Sequence, residues 1–170
     1  MSGTARVGWQ GLSFLAFAVL AADQATKYLV ERFTAVGSNR VLVPGLLNLV
    51  HTTNPGVAFG LLADSPAAWL APLLILFSVS AIVLLGWLLV SGRGGGLLGQ
   101  WGLALILGGA AGNVLDRVMR RGVTDFIDFY VGSHHWYTFN LADSAIVLGA
   151  SFVLLELFLD RQHPATQEEA

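Results

Sequence analysis

The chain has 170 residues, 55% of them apolar and 12% charged, with a net charge of −2. That length suits one domain, while a water-solvated domain usually carries about 25% charged residues, so an ordinary soluble surface is excluded. The near-neutral balance offers no basic field for nucleic acid, and the absence of cysteine excludes disulfides, thiolate metal sites and a cysteine nucleophile.

The first apolar stretch runs from about residue 8 to 30, and its last turns carry Asp23 and Lys27 in "DQATK". A cleaved signal peptide fits poorly here, because the leading region has one Arg and the stretch runs into charges instead of a small-residue cleavage site. Residues 34–66 include "RVLVPGLLNLVHTTNPGVAFG". Their β-branched residues, punctuated by Pro and Gly, predict short strands and turns. The second span, 67–90, reads "AAWLAPLLILFSVSAIVLLGWLLV" and holds no charge, enough helix to cross roughly 30 Å of hydrocarbon. Pro72 lies in its first turns, where a missing N–H costs little, and Trp69 and Trp87 sit near its ends as interfacial aromatics do.

A flexible turn, "SGRGGG", leads to the third span, 97–118, which ends in "GGAAGNVLDRV". In the connection 119–138, Val123, Phe126, Ile127 and Tyr130 recur at helical spacing. That predicts a short amphipathic helix at the interface, with Asp125 and Asp128 together on its polar side. The fourth span covers 139–159, and the polar tail after Asp160 is expected to fray. The expected fold is an all-α integral membrane protein: one domain over 1–170, four transmembrane helices, both termini on one side, and segments 34–66 and 119–138 on the other.

Ionisable groups within or at the ends of spans are costly and by default suggest function. Asp23 and Lys27 end the first span, Asn113, Asp116 and Arg117 end the third, and Asn140 and Asp143 begin the fourth. The alternation of spans brings all of them toward one membrane face. Asn113, Asp116 and Arg117 are spaced i, i+3, i+4 and share a helix face, as do Asn140 and Asp143. Gly108 and Gly112 form a GxxxG pattern that lets another helix approach closely.

Plainer readings stand beside these. Asp23 with Lys27 suits a simple i,i+4 pair, Asp116 beside Arg117 a structural ion pair, Asp128 a solvated or capping carboxylate, and Asn54 in "NPG" a turn residue. His134 and His135 are adjacent and do not share a helix face, and there is no H-E-x-x-H helix, so no metal is expected. Asp143 is harder to dismiss, since an acid just inside an apolar span is partly desolvated. A second carboxyl nearby would make the two share a proton, the condition used by aspartic proteases. One then takes a proton from water while the other serves the scissile carbonyl. Periodicity alone does not choose among pairs of acids. A proton-coupled carrier is the other reading of intramembrane acids and bases, but these cluster at one face, whereas a carrier needs a path through the bilayer.

Five stretches in order, "DQATK" (23–27), "NPGVAFG" (54–60), "GGAAGNVLDR" (108–117), "GVTDFIDF" (122–129) and "FNLAD" (139–143), resemble the motifs of the lipoprotein signal peptidases, the bacterial signal peptidase II family. The resemblance implies a membrane-embedded aspartic endopeptidase that cleaves prolipoproteins before a diacylglyceryl-modified cysteine. It assigns the catalytic pair to Asp125 and Asp143. It gives Asp23, Lys27, Asn54, Gly108, Asn113, Asp116, Arg117 and Asn140 roles in supporting the site or binding substrate. It further implies a small β-cradle over 34–66, membrane lipid and lipidated prolipoprotein as partners, and inhibition by cyclic peptide antibiotics. With no cysteine and no zinc-binding helix no cofactor is expected, and a monomer is expected. The implied location is the bacterial inner membrane, with termini in the cytoplasm and the site facing the periplasm. Arginine count opposes that orientation: Arg6, Arg93 and Arg161 flank the terminal side, and Arg32, Arg40, Arg117, Arg120 and Arg121 the other, the reverse of a positive-inside bias.

Overall fold

The computed structural model describes residues 7–56 and 69–162. Residues 57–66 of the expected cradle, the start of the second span before Trp69, Arg6 and the polar tail beyond residue 162 lie outside the described residues. Four helices are described, α1 (Trp9–Phe33), α2 (Leu70–Val90), α3 (Leu97–Arg120) and α4 (Leu141–Gln162), with strands β1 (Asn39–Val43), β2 (Leu47–Asn54), β3 (Val123–Val131) and β4 (His134–His135). Among the described residues three helical stretches are long and apolar enough to cross a membrane: Ala71–Val90, Leu97–Arg120 and Leu141–Asp160. The helix α1 has the length, 25 residues, but its C-terminal half carries Asp23, Lys27, Glu31 and Arg32.

The bundle is organised around α3, which packs against α1, α2 and α4 and has 56% of its apolar window buried. Glycine makes this possible. A Cβ on Gly108 would come within 2.5 Å of Ala16 O, and one on Gly112 within 2.5 Å of Asp23 Oδ2, so this pair of glycines faces α1. On another face Gly102 abuts Gly149 O and Gly109 abuts Ala142 O, both in α4. Close backbone approach of this kind substitutes for the hydrophobic drive that lipid does not supply. The outward surfaces carry Phe14, Phe17, Leu76, Phe77 and Leu154, all more than half exposed, a surface suited to hydrocarbon rather than water. At its other end α3 begins beneath α4, where Glu156 accepts the N–H groups of Gly96 (2.6 Å) and Gly99 (2.9 Å). That carboxylate caps a helix start which has no capping side chain of its own.

All four strands form one antiparallel sheet in the order β1-β2-β3-β4. Pro44 and Gly45 (φ +79°) close the β1–β2 hairpin with Leu46 N donating to Val43 O, the signature of a type II turn. A bulge between Leu49 and Thr52 shifts the β2–β3 register, after which Thr52 opposes Asp125 and Asn54 opposes Val123.

The third strand corrects the expected interfacial helix: the small sheet expected over 34–66 extends into the connection between α3 and α4. Residues 123–131 are extended and paired with β2. Val123 to Phe126 are buried without interruption, so the strand is covered on both faces and the period-2 signal is lost. What remained in the sequence was an apolar spacing that imitates a helix, while Val123, Thr124, Ile127 and Val131 carry the β preference that prevailed.

Candidate active site

The polar residues at the ends of α1, α3 and α4 meet around one buried ammonium. Lys27 Nζ lies 2.9 Å from Asp23 Oδ2, 2.8 Å from Asp116 Oδ2 and 3.1 Å from Asn113 Oδ1. Lys27, Asp23 and Asp116 are fully buried. An ammonium has three donors, and all three are taken. The Asp23–Lys27 pair is therefore one edge of a cluster joining α1 to α3, and Asp23 Oδ1 also accepts Ala142 N at 2.9 Å, tying in the first turn of α4.

Orientation passes outward from this cation. Asn113 Oδ1 accepts from Lys27 and also from Asn140 Nδ2 at 3.3 Å, which leaves Asn113 Nδ2 to donate to Asp143 Oδ1 at 2.8 Å. Asn140 caps α4: its Oδ1 accepts Asp143 N at 3.0 Å, and Asp143 Oδ2 accepts Asn140 N at 3.2 Å. This is the reciprocal capping box, with Asn and Asp in the two roles. Asn140 Nδ2 donates to Asp125 Oδ1 at 2.7 Å. The approach is set by Phe139, which bridges the free side of β3 through Phe139 N to Ile127 O (3.0 Å) and Ile127 N to Phe139 O (2.8 Å). The chain entering α4 thus runs beside the strand that carries Asp125.

Asp125 is 2% exposed. Burial, and next the charge of Asp143, push its carboxyl up from 3.8 to about 7; hydrogen bonds from Asn54 and Asn140 and the Lys27 charge oppose the shift without cancelling it. Asn54 Nδ2 reaches Asp125 Oδ2 at 3.1 Å, while Asn54 Oδ1 accepts Gly56 N at 2.9 Å. Asn54 is thus a turn residue whose amide also holds an acid. Arg117 donates to Gly56 O (2.9 Å) and Asn113 O (3.2 Å), and its Nε finds no partner among the described residues.

Two expectations are corrected. Asp116 does not pair with Arg117: successive helix positions do not face each other, and Asp116 Oδ1 is instead 2.6 Å from Arg120 NH1, one turn on. Asp128 is neither solvated nor on an exposed side. It is 5% exposed, because a strand sets it on the face opposite Asp125. There it accepts Asn48 Nδ2 at 2.8 Å and lies 2.9 Å from His135 Nδ1. Sequence reasoning also gave no site role to Gln24, Arg120 and Thr124, which contact Asp116, or to Glu31, which contacts Arg120 and Thr124. Their one available signal was Glu31 and Arg120 as charges next to apolar spans. A cavity of about 630 Å³ between α1, α2 and α3 lies at the opposite end, lined by Leu12, Ser13, Leu89 and Leu107 among others, away from these acids.

The family described as signal peptidase (SPase) II matches residues 15–159. A lipoprotein signal peptidase of Solibacter usitatus is 42% identical over 155 residues, covering 91% of this chain and 93% of that protein. Those of Maridesulfovibrio salexigens and Salmonella newport are 38% and 40% identical, covering 84% and 92% of this chain and 91% and 92% of theirs. Two solved structures of bacterial membrane enzymes superpose with TM-scores of 0.85 and 0.81 at 24% identity, over 98% and 91% of this chain and 99% and 97% of theirs, a likeness of fold.

Proposed function

The chain belongs to the signal peptidase II family, and from that premise we propose that it is an aspartic endopeptidase of the bacterial inner membrane. It removes the signal peptide of prolipoproteins by cutting before a diacylglyceryl-modified cysteine, with Asp125 and Asp143 as the catalytic pair. The observation that carries this reading is the double role of Asn140, which donates to Asp125 Oδ1 and forms a capping box with Asp143. One side chain thereby sets two acids from different elements against each other.

Two close carboxyls cannot readily both ionise, so the pair holds one proton as a unit. The ionised member takes a proton from water as the water oxygen attacks the scissile carbonyl carbon, and the protonated member gives its proton to the carbonyl oxygen. The pair still holds one proton. The tetrahedral diol then collapses: one hydroxyl proton returns to the ionised carboxylate, the C–N bond breaks, and the other carboxyl protonates the cysteine nitrogen that leaves. Arg117, whose charge is felt by both acids, holds the backbone of Gly56 and Asn113 beside them and serves the substrate backbone as a donor. The Lys27 cluster acts through Asn113 to fix the direction of Asp143.

Lipid supplies much of the binding, since each buried CH₂ of the diacylglyceryl chains contributes about 0.8 kcal/mol. Four helices, α1 included, cross the membrane, and the sheet and acids face the periplasm. The arginine count weakens as an objection because Arg117 and Arg120 are engaged inside the fold. Incubating the purified protein with lipidated and unlipidated prolipoprotein tests the reading. Cleavage of the lipidated form alone is expected, and equal turnover of both would contradict it.

A further inference from the structure

The two acids ride on different layers. Asp143 belongs to the helix bundle through α4, and Asp125 to the sheet through β3. Whatever ties β3 to the bundle near Asp125 therefore helps set their separation. The connection from α3 is short: Arg121 adopts a left-handed φ of +62°, and Gly122 lies where a Cβ would be 2.7 Å from Thr53 Cγ2. This turn returns the chain to α3, so that Thr124 N donates to Asp116 Oδ2 at 3.3 Å.

The neighbour of Asp125 is also held from α1. Thr124, 3% exposed, donates through Oγ1 to Glu31 Oε1 at 2.7 Å. The same oxygen accepts Arg120 Nε at 2.9 Å, and Arg120 NH1 is 2.6 Å from Asp116 Oδ1 and 3.1 Å from Gln24 Oε1. The β2 ladder already pairs Thr124 with Thr53 and Asp125 with Thr52, so strand formation does not need this chain of contacts. The Glu31–Arg120 pair is about a quarter to a third exposed, and ion pairs of that kind add little stability. What the chain does is pin the strand to the helices one residue from Asp125.

We propose that Glu31 and Thr124 are positioning residues, a latch between α1 and β3 that sets where Asp125 stands relative to Asp143. This rests on the assignment of the two aspartates above. A misplacement of about 1 Å at a reacting group can cost as much as roughly a hundred-fold in rate. Thr124→Val keeps the side-chain shape and strand preference while removing the hydroxyl.

The test is cleavage of lipidated prolipoprotein by the full chain in detergent, with melting measured beside kinetics. Thr124→Val should lower kcat roughly ten-fold with KM little changed, the pattern of a group felt in the transition state. Thr124→Ser, which restores the hydroxyl, should recover most of the loss. Glu31→Ala should reproduce the fall, and the double variant should be no worse than either single, as for residues in one network. Normal kcat in Glu31→Ala overturns the proposal even where Thr124→Val does not fold, and so does a Thr124→Ser as slow as Thr124→Val. Asp125→Asn is run alongside: activity there overturns the dyad itself, whereas an inactive Asp125→Asn beside a normal Thr124→Val overturns only the latch.

Discussion

Asn140 Nδ2 stands 2.7 Å from Asp125 Oδ1 while the other end of the same amide accepts the N–H of Asp143 at 3.0 Å. The residue is fully buried, and it performs two separable tasks, capping α4 and holding an acid. Asn140→Ser keeps a capping oxygen and loses the amide donor, so it should melt near the parent temperature and cleave far more slowly. Asn140→Ala loses the cap as well, at a further cost of about 1 kcal/mol. Melting and cleavage rates of the two variants check this; full activity in Asn140→Ser would make the link to Asp125 incidental.

Lys27 is the single cation between buried Asp23 and Asp116 among the contacts described. Lys27→Met leaves buried Asp23 without its cation and Asp116 with the Arg120 cation alone, and breaking a buried pair in this way typically costs about 3–5 kcal/mol. The variant should express poorly and melt well below the parent in detergent. A melting temperature equal to the parent's would show that the cluster does not hold α1 to α3.

Asp128 invites a different outcome from Asp125 although both are buried acids on one strand. Its partners are Asn48 and His135, and the ring of His135 stacks on Tyr130 at 4.9 Å. Asp128→Asn turns one acceptor into a donor facing another donor, costing about 1–3 kcal/mol, while leaving the acids of the site untouched. It should lower melting temperature and retain cleavage by the folded fraction. Complete loss of cleavage in well-folded Asp128→Asn would contradict this division of roles.

The carboxyl of Asp125 is raised from 3.8 to about 7 by burial and the charge of Asp143. Between those values the folded state binds more protons than the unfolded state. Stability contributed by this group is therefore fully present below the lower value and lost as pH rises through the upper one. Melting of the parent should fall from about pH 5 to about pH 8 more steeply than melting of Asp125→Asn, which has no proton to lose there. Identical slopes would place the titration elsewhere. Cleavage should likewise decline above about pH 7 as the pair loses its shared proton.

What could be read in the sequence followed from physical range. The uncharged run before Ser91 and the apolar stretches of α3 and α4 declare themselves by length, and the motifs that carry the family resemblance are short and local. Phe139 looked like the start of a span because it is apolar, whereas it bridges β3 and Asn140 caps the helix. The third strand was misread because covering both faces erases alternation. Lys27 announced its i,i+4 partner Asp23, but its contact with Asp116 joins positions far apart in the chain, and no local pattern encodes that. The same holds for Glu31 with Thr124. Glu156, the acid in the apolar stretch between Asp143 and Asp160 of α4, faces a glycine-rich turn and was, like Glu31 and Arg120, a missed partner that composition could have flagged.

The measurement that bears most directly on the central claim is cleavage of lipidated prolipoprotein by Asp125→Asn, Asp143→Asn and the double variant, each checked for folding by melting in detergent. Asn matches Asp in shape but cannot serve as the acid or base. Each single variant should be folded and inactive, and the double variant no slower than either, as for groups that act as one unit. Substantial cleavage by folded Asp125→Asn or folded Asp143→Asn would contradict the assignment of the two aspartates as the catalytic pair.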